Sequence, residues 1–297
     1  MARRPRKLNN GGGIGKLTSG PVGPSAKHDL FIIDDETIND PRIRDLVFVP
    51  TVDGESKGHG LVPRDYTKYP AQMFAPPTDM PIIEASEVDG WIEAQERDKS
   101  SLEHICTWTP KDQNSHGYCW AYSVTGAVEF LRAINNQPLV RLSAHAVAAI
   151  IKKGRDEGGW CGLSAKFVRE VGVPSDAFWK THSRDISQDT PALRANAALH
   201  KVTEDWVDLT RDIYDQNLTE RQVDSCCLLN IPMAWDFNWW SHSVFGGRLV
   251  KVEGGSRGRK IRNSWGNWGD NGWSILRGSK AIPDGAVALR VTGVADK

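Results

Sequence analysis

Proline and tryptophan divide the chain. Ten of its sixteen prolines lie at or before Pro81, and all twelve tryptophans lie at or after Trp91. Proline fixes φ and removes a backbone donor, so a stretch studded with it builds neither long helices nor central strands. Tryptophan carries the largest apolar surface of any side chain and belongs where a core is built. The compact unit is therefore expected at 81–297. Residues 1–28 hold Arg3, Arg4, Arg6, Lys7, Lys16 and Lys27 with no acid. They bury too little apolar surface to offset their ordering entropy and are expected to be disordered when alone. In 29–80, the runs at 30–33 and 45–50 read as short strands, and six prolines from Pro41 to Pro77 interrupt the rest. An extended segment is expected there, acting as a latency element or as a tether to a larger assembly.

Charge and cysteine usage narrow the setting. Lys plus Arg number 37 against 37 Asp plus Glu, so no global field draws nucleic acid or an acidic membrane. Nucleic acid is disfavoured as a partner, with only the basic stretch 1–28 speaking for it. No apolar run approaches the ~18 residues of a membrane helix. The basic N-terminus has no apolar stretch behind it, unlike a secretory signal. Five cysteines, two of them adjacent at Cys226 and Cys227, make no disulfide framework. A non-secreted setting is expected, cytoplasmic or virion-associated.

Within 81–297, helices come first and strands later. The run 119–134 is apolar around most of its circumference and reads as a buried helix. Ser143 can cap a second helix, 164–171 gives a third, and 193–206 and 220–229 are further candidates. After Ile231 the sequence becomes short, β-rich runs punctuated by glycine. Helices and strands in separate blocks argue for an α+β fold.

One run carries chemistry: Asp112-Gln113-Asn114-Ser115-His116-Gly117-Tyr118-Cys119-Trp120. A cysteine in the first turn of a helix gains from unpaired N–H groups and the positive end of the dipole, which favour thiolate. Gln113 can return an amide N–H toward the sulfur, forming a two-donor oxyanion site with the Cys119 N–H. His242, in a β-rich run, can serve as base. Asn263 follows 21 residues later, where its oxygen can orient the imidazole, and Trp265 can shield that bond from water.

These blocks resemble those of the papain-like cysteine peptidases. DQNSHGYCWAYS, SHSV and IRNSWGNWGDNGWSILRGS occur in the family's order, 123 residues from Cys119 to His242 and 144 from Cys119 to Asn263. The resemblance spans roughly 110–280. It implies a two-lobe fold with a peptide-binding cleft between a helical lobe (about 111–205) and a β-barrel-like lobe (about 206–297 plus 81–110). It also implies Cys119 as nucleophile, His242 as base, Gln113 as oxyanion donor and Asn263 as orienting residue. Trp265 and Trp120 would support the site, and Gly158, Gly159, Trp160 and Ser241 would bind substrate. The expected activity is hydrolysis of peptide or protein substrates through a thioester, with no cofactor and no metal. One departure concerns the position three before the nucleophile, which is His116 where the family usually has a disulfide cysteine. With Gly158-Gly159 aligned, the other half of that bond falls at Asp156, so a His116–Asp156 contact is one expectation. Two rival readings stay open: a catalytically retired binding or structural protein, and an acyl transferase or transpeptidase on the same scaffold.

Overall fold

The computed structural model describes residues 30–70, 73–75, 80–202, 205–209 and 216–289, so the expectation for 1–28 lies outside the described residues. The helices are α1 (Pro41–Phe48), α2 (Val88–Asp98), α3 (Leu102–Ile105), α4 (Cys119–Ile134), α5 (Ala144–Lys152), α6 (Cys161–Glu170), α7 (Pro191–Ala198) and α8 (Gln216–Leu228). The strands are β1 (Ile32–Ile33), β2 (Thr51–Val52), β3 (Glu55–Ser56), β4 (Trp206–Asp208), β5 (Met233–Phe237), β6 (His242–Lys251), β7 (Arg257–Arg262), β8 (Trp273–Leu276) and β9 (Gly285–Leu289).

The main sheet has the order β1-β8-β7-β6-β5-β9-β4. Its pairs are antiparallel apart from β1, which runs parallel to β8 at one edge. Helix α4 lies on one face because nearly its whole surface is apolar. Its Trp120, Val124 and Phe130 join Phe245, Ala234 and Val287 of the sheet in one core cluster. The other face is covered by α1, α2 and α8, whose Ile43, Val47, Ile92 and Val223 meet Trp235, Trp265 and Trp268 in a second. This is the α+β arrangement expected from the blocks of helix and strand.

Three local expectations are corrected. The run 45–50 lies mostly in helix α1, not in a strand. Asp40 caps that helix by accepting from the Arg42 N–H, Pro41 takes the first position, and Ile43 and Val47 share a buried face. The third helix begins at Cys161, three residues before the expected Ser164. Its opening N–H is satisfied by Asp236 Oδ2 of β5 at 3.0 Å, a cap 75 residues away that no local pattern announces. The candidate at 193–206 begins at Pro191 behind a Thr190 cap and ends at Ala198, and Trp206 opens strand β4.

The proline-rich segment is built into the sheet side of the molecule. Phe31 and Ile33 carbonyls accept from Ile275 and Arg277. The Val47 carbonyl accepts from the Trp240 indole at 2.9 Å, and the Leu46 carbonyl from the Trp268 indole at 2.9 Å. A two-stranded hairpin, β2–β3, turns through Asp53 and Gly54, both at positive φ, and aims the following residues at the start of α4.

Candidate active site

Four elements each contribute one polar group. Cys119 is the first residue of α4. Six residues before it, the Gln113 N–H donates to the Ser264 carbonyl at 2.9 Å, and Ser264 Oγ donates to Gln113 Oε1 at 2.6 Å. That pair fixes the amide and leaves Nε2 to donate to the carbonyls of His116 (2.7 Å) and Gly58 (2.9 Å).

His242 opens β6, and Asn263 follows directly on β7. Asn263 Oδ1 accepts from the Ser264 N–H at 2.7 Å, so the amide oxygen is the atom facing His242 Nε2 at 2.8 Å. Nε2 must therefore be the donor, and Nδ1 carries the lone pair of a neutral imidazole. Nδ1 is buried and has no hydrogen-bond partner, Cys119 included. The Trp265 ring lies over the imidazole with centroids 4.2 Å apart, and Trp240 approaches at 4.9 Å. Both indoles keep water from the His242–Asn263 bond.

Residues 57–64 run as a strap between the loop before Cys119, Gly159 and the start of β6. Lys57 Nζ reaches Asp112 Oδ2 at 2.8 Å. The Gly58 carbonyl accepts from Gln113 Nε2 and, at 3.0 Å, from the Trp265 indole. The His59 ring stands edge-on to His242 and Trp265, with its Nε2 2.9 Å from the Val47 carbonyl. Gly60 and Leu61 both donate to the Ser241 carbonyl, at 3.2 and 3.0 Å. Gly159 donates to the Gly60 carbonyl (2.9 Å) and accepts from the Val62 N–H (2.8 Å), a parallel pairing centred on Leu61. Gly60 passes so close to the loop before Cys119 that a Cβ there would sit 2.1 Å from the Gly117 carbonyl oxygen. On the opposite wall Gly159 lies flat on Trp120, where a Cβ would come within 2.7 Å of the ring. The expected substrate-binding residues Gly159 and Ser241 thus engage the chain's own backbone.

This closure sets the electrostatics. Cys119 is 0% exposed, and burial pushes its thiol up to about 12 despite the opposing backbone groups of Ser243, Gly60 and Trp120. The expectation of a thiolate at the helix N-terminus is corrected for this arrangement, because desolvation outweighs the dipole. His242 is held well below the ordinary histidine range, first by burial and then by the neighbouring His59, with the Asn263 bond opposing. Both shifts favour the uncharged forms, thiol and imidazole, while the strap is seated.

The expected His116–Asp156 pair is not hydrogen-bonded, although the carboxylate still acts on the ring through its charge. Asp156 Oδ1 accepts from the Gly117 N–H at 2.9 Å, whereas His116 packs edge-on to His145 with centroids 4.6 Å apart. One feature escaped the sequence reading, and another was expected only as an extended segment somewhere within 29–80. Ser264 was legible only as a motif letter, because its bond to Gln113 joins residues 151 apart. The strap was signalled faintly by Gly58-His59-Gly60, glycines alternating in a proline-rich stretch.

No protein-family model matches the chain. It is 26% identical over 199 residues to a probable cysteine protease, RDL2, of Arabidopsis thaliana, covering 60% of this chain and 54% of that relative. Zingipain-2 of Zingiber officinale is 26% identical over 196 residues, covering 60% of this chain and 86% of that one. Xylellain, a cysteine protease from Xylella fastidiosa, superposes with a TM-score of 0.54 at 18% identity, over 79% of this chain and 97% of its own. The chain is similar in sequence to papain-like cysteine proteases and shares their fold. A digestive procathepsin L2 proteinase from Tenebrio molitor larval midgut has the same fold, with a TM-score of 0.53 at 17% identity over 85% of this chain and 81% of that one. The chain spans about half the length of the Arabidopsis relative it matches.

Proposed function

We propose that this papain-like chain is a thiol peptidase held latent by its own residues 57–64. The observation that carries the reading is the Gly58 carbonyl, a peptide oxygen seated on the amide N–H of Gln113 beside the His242–Asn263 pair. A site that already binds one peptide carbonyl there is shaped to bind another as it develops negative charge.

With the strap withdrawn, the Cys119 sulfur regains solvent and its raised pKa relaxes. Its proton passes to His242 Nδ1, the nitrogen that the Asn263 bond leaves with the lone pair. The sulfur attacks the substrate carbonyl carbon while Gln113 Nε2 and the Cys119 N–H hold the oxyanion. His242 then gives its proton to the leaving amine, and the amine departs. Water, losing a proton to the same nitrogen, attacks the thioester, and the acid leaves as the thiol is restored. Spending the thioester on an amine would make the chain a transferase, which products formed with added amine distinguish. The complete burial of Cys119 is the observation that favours the rival, a closed binding or structural protein.

Hydrolysis of an unstructured peptide by a chain whose strap has been displaced tests the reading. Cys119→Ala is expected to remove all turnover; turnover that survives it refutes the thiol mechanism.

Acid should open the cleft. His59 is lowered from 6.5 by burial, opposed only by its bond to Val47, and His242 is lowered for the reasons given above. Both therefore bind fewer protons with the strap seated than with the rings in water. For such groups the penalty on the closed form is absent well above about 6.5 and grows as pH falls through that value. Modification of Cys119 by an electrophile whose own pH dependence has been subtracted is expected to show a rising open fraction from pH 7.5 to 5. Tighter closure in acid would contradict the assignment.

A further inference from the structure

A second polar centre adjoins Asn263. A cavity of about 30 Å³ lies between α4 and the end of β7, with Lys111, Glu129, Arg141, Arg262 and Asn263 among its walls and His242 absent from them. That volume exceeds the ~10–15 Å³ that a single water-sized guest needs. Arg262 is 7% exposed, and its guanidinium lies 5.9 and 5.6 Å from the Trp108 and Trp273 rings. Its two Nη atoms donate to the Cys106 sulfur and the Trp108 carbonyl, and Nε is buried with no acceptor among the described residues. Burial pushes the Cys106 thiol up, with Arg262 opposing, so the sulfur favours its thiol form and supplies no counter-charge. A buried cation whose hydrogen bonds go to neutral partners is costly until a negative charge joins it.

Two more N–H groups share that need. Asn263 Oδ1 faces His242 and accepts from the Ser264 N–H, and Nδ2 is buried without an acceptor. Arg141 Nη1 is enclosed without a hydrogen bond, although Glu129 Oε2 stands 3.4 Å away as a charge partner. The Glu129 carboxylate is already engaged by Lys111 Nζ at 2.9 Å and by the Leu142 N–H at 2.8 Å. The cavity wall thus sets three cations, Lys111, Arg141 and Arg262, against the one carboxylate of Glu129. A water molecule accepts two hydrogen bonds and must also place its own two hydrogens. A spherical anion accepts from all three donors and returns the missing charge.

We propose that this cavity binds one small monovalent anion, of chloride's size, through Arg262 Nε, Arg141 Nη1 and Asn263 Nδ2. The Arg141 side chain is 28% exposed, so the ion enters beside it. The ion holds the Nδ2 end of the amide whose oxygen faces His242. The site stands whether or not the chain hydrolyses peptides.

The test melts the full native chain in sodium bromide and in sodium gluconate at equal ionic strength, so that screening is common to both. A melting temperature higher by about 3 °C at about 100 mM bromide, with a dependence that saturates as one site, is expected. Arg262→Met is expected to remove the rise, and Arg141→Gln, at a partly exposed position, to weaken bromide binding about tenfold. The second variant keeps the test decisive if the first fails to fold. Broadening of the chloride NMR line by the native chain, reduced in Arg141→Gln, reads the ion itself. Equal melting in the two salts would overturn the site and leave the cavity to water. A bromide effect undiminished in either variant would mark an adventitious ion only, bound elsewhere, and would overturn it as well.

Discussion

Replacing Gly60 with valine in the full chain is expected to raise peptide hydrolysis by about hundredfold. A Cβ at this position would lie 2.1 Å from the Gly117 carbonyl oxygen and 2.2 Å from its carbon. Both are backbone atoms of the loop that leads into α4, so no rotamer change relieves the overlap. Forcing such a clash into a packed site costs about 3 kcal/mol, which converts to about two orders of magnitude in the closed-to-open ratio. The strap can leave without unfolding the rest, because the anchoring residues Ile33, Ile43 and Val47 lie in a separate cluster on the other side of the sheet. Gly58→Ala makes an independent check, since its Cβ would stand 2.4 Å from the Ser115 carbonyl oxygen. If both variants melt near the native temperature and neither hydrolyses peptide, latency is the wrong account of the closed cleft.

In the opened chain, His242→Ala is expected to lower kcat/KM by about 10³-fold or more, because both proton transfers lose their carrier. Asn263→Ala should cost less, about ten- to hundredfold. It removes the acceptor that keeps the Nε2 proton in place, leaving the imidazole free to adopt the tautomer with its proton on the reactive nitrogen. The order of the two losses is the informative part. A larger effect at Asn263 than at His242 would mean that the pair serves structure and not proton transfer.

Part of this arrangement was legible from the chain, because a thiol, an imidazole and two amides in these sequence contexts restrict residue type strongly. Gln113, Cys119, His242 and Asn263 could each be singled out by local context; the structure joins His242 to Asn263 and ties the Gln113 amide to Ser264 beside Asn263. What stayed hidden depends on contacts distant in sequence. Helix α6 begins early because Asp236 caps it from another element, and Arg64 is buried because Asp208 lies 144 residues away. The state of the sulfur was also hidden. A helix N-terminus lowers a thiol's pKa and enclosure raises it, and only the path of residues 57–64 decides between them. The misread run at 45–50 has a local lesson. Asp40-Pro41 is a helix-starting pair, and it outweighs the β-rich letters that follow.

Mapping where a peptidyl thiol-directed electrophile lands on the native and Gly60→Val chains tests the account most directly. The prediction is slow modification of the native chain and rapid, selective modification of Cys119 in the variant, with the label lost on adding His242→Ala. The account is contradicted if the opened chain leaves Cys119 untouched while Cys106, the one partly exposed cysteine of the five, takes the reagent.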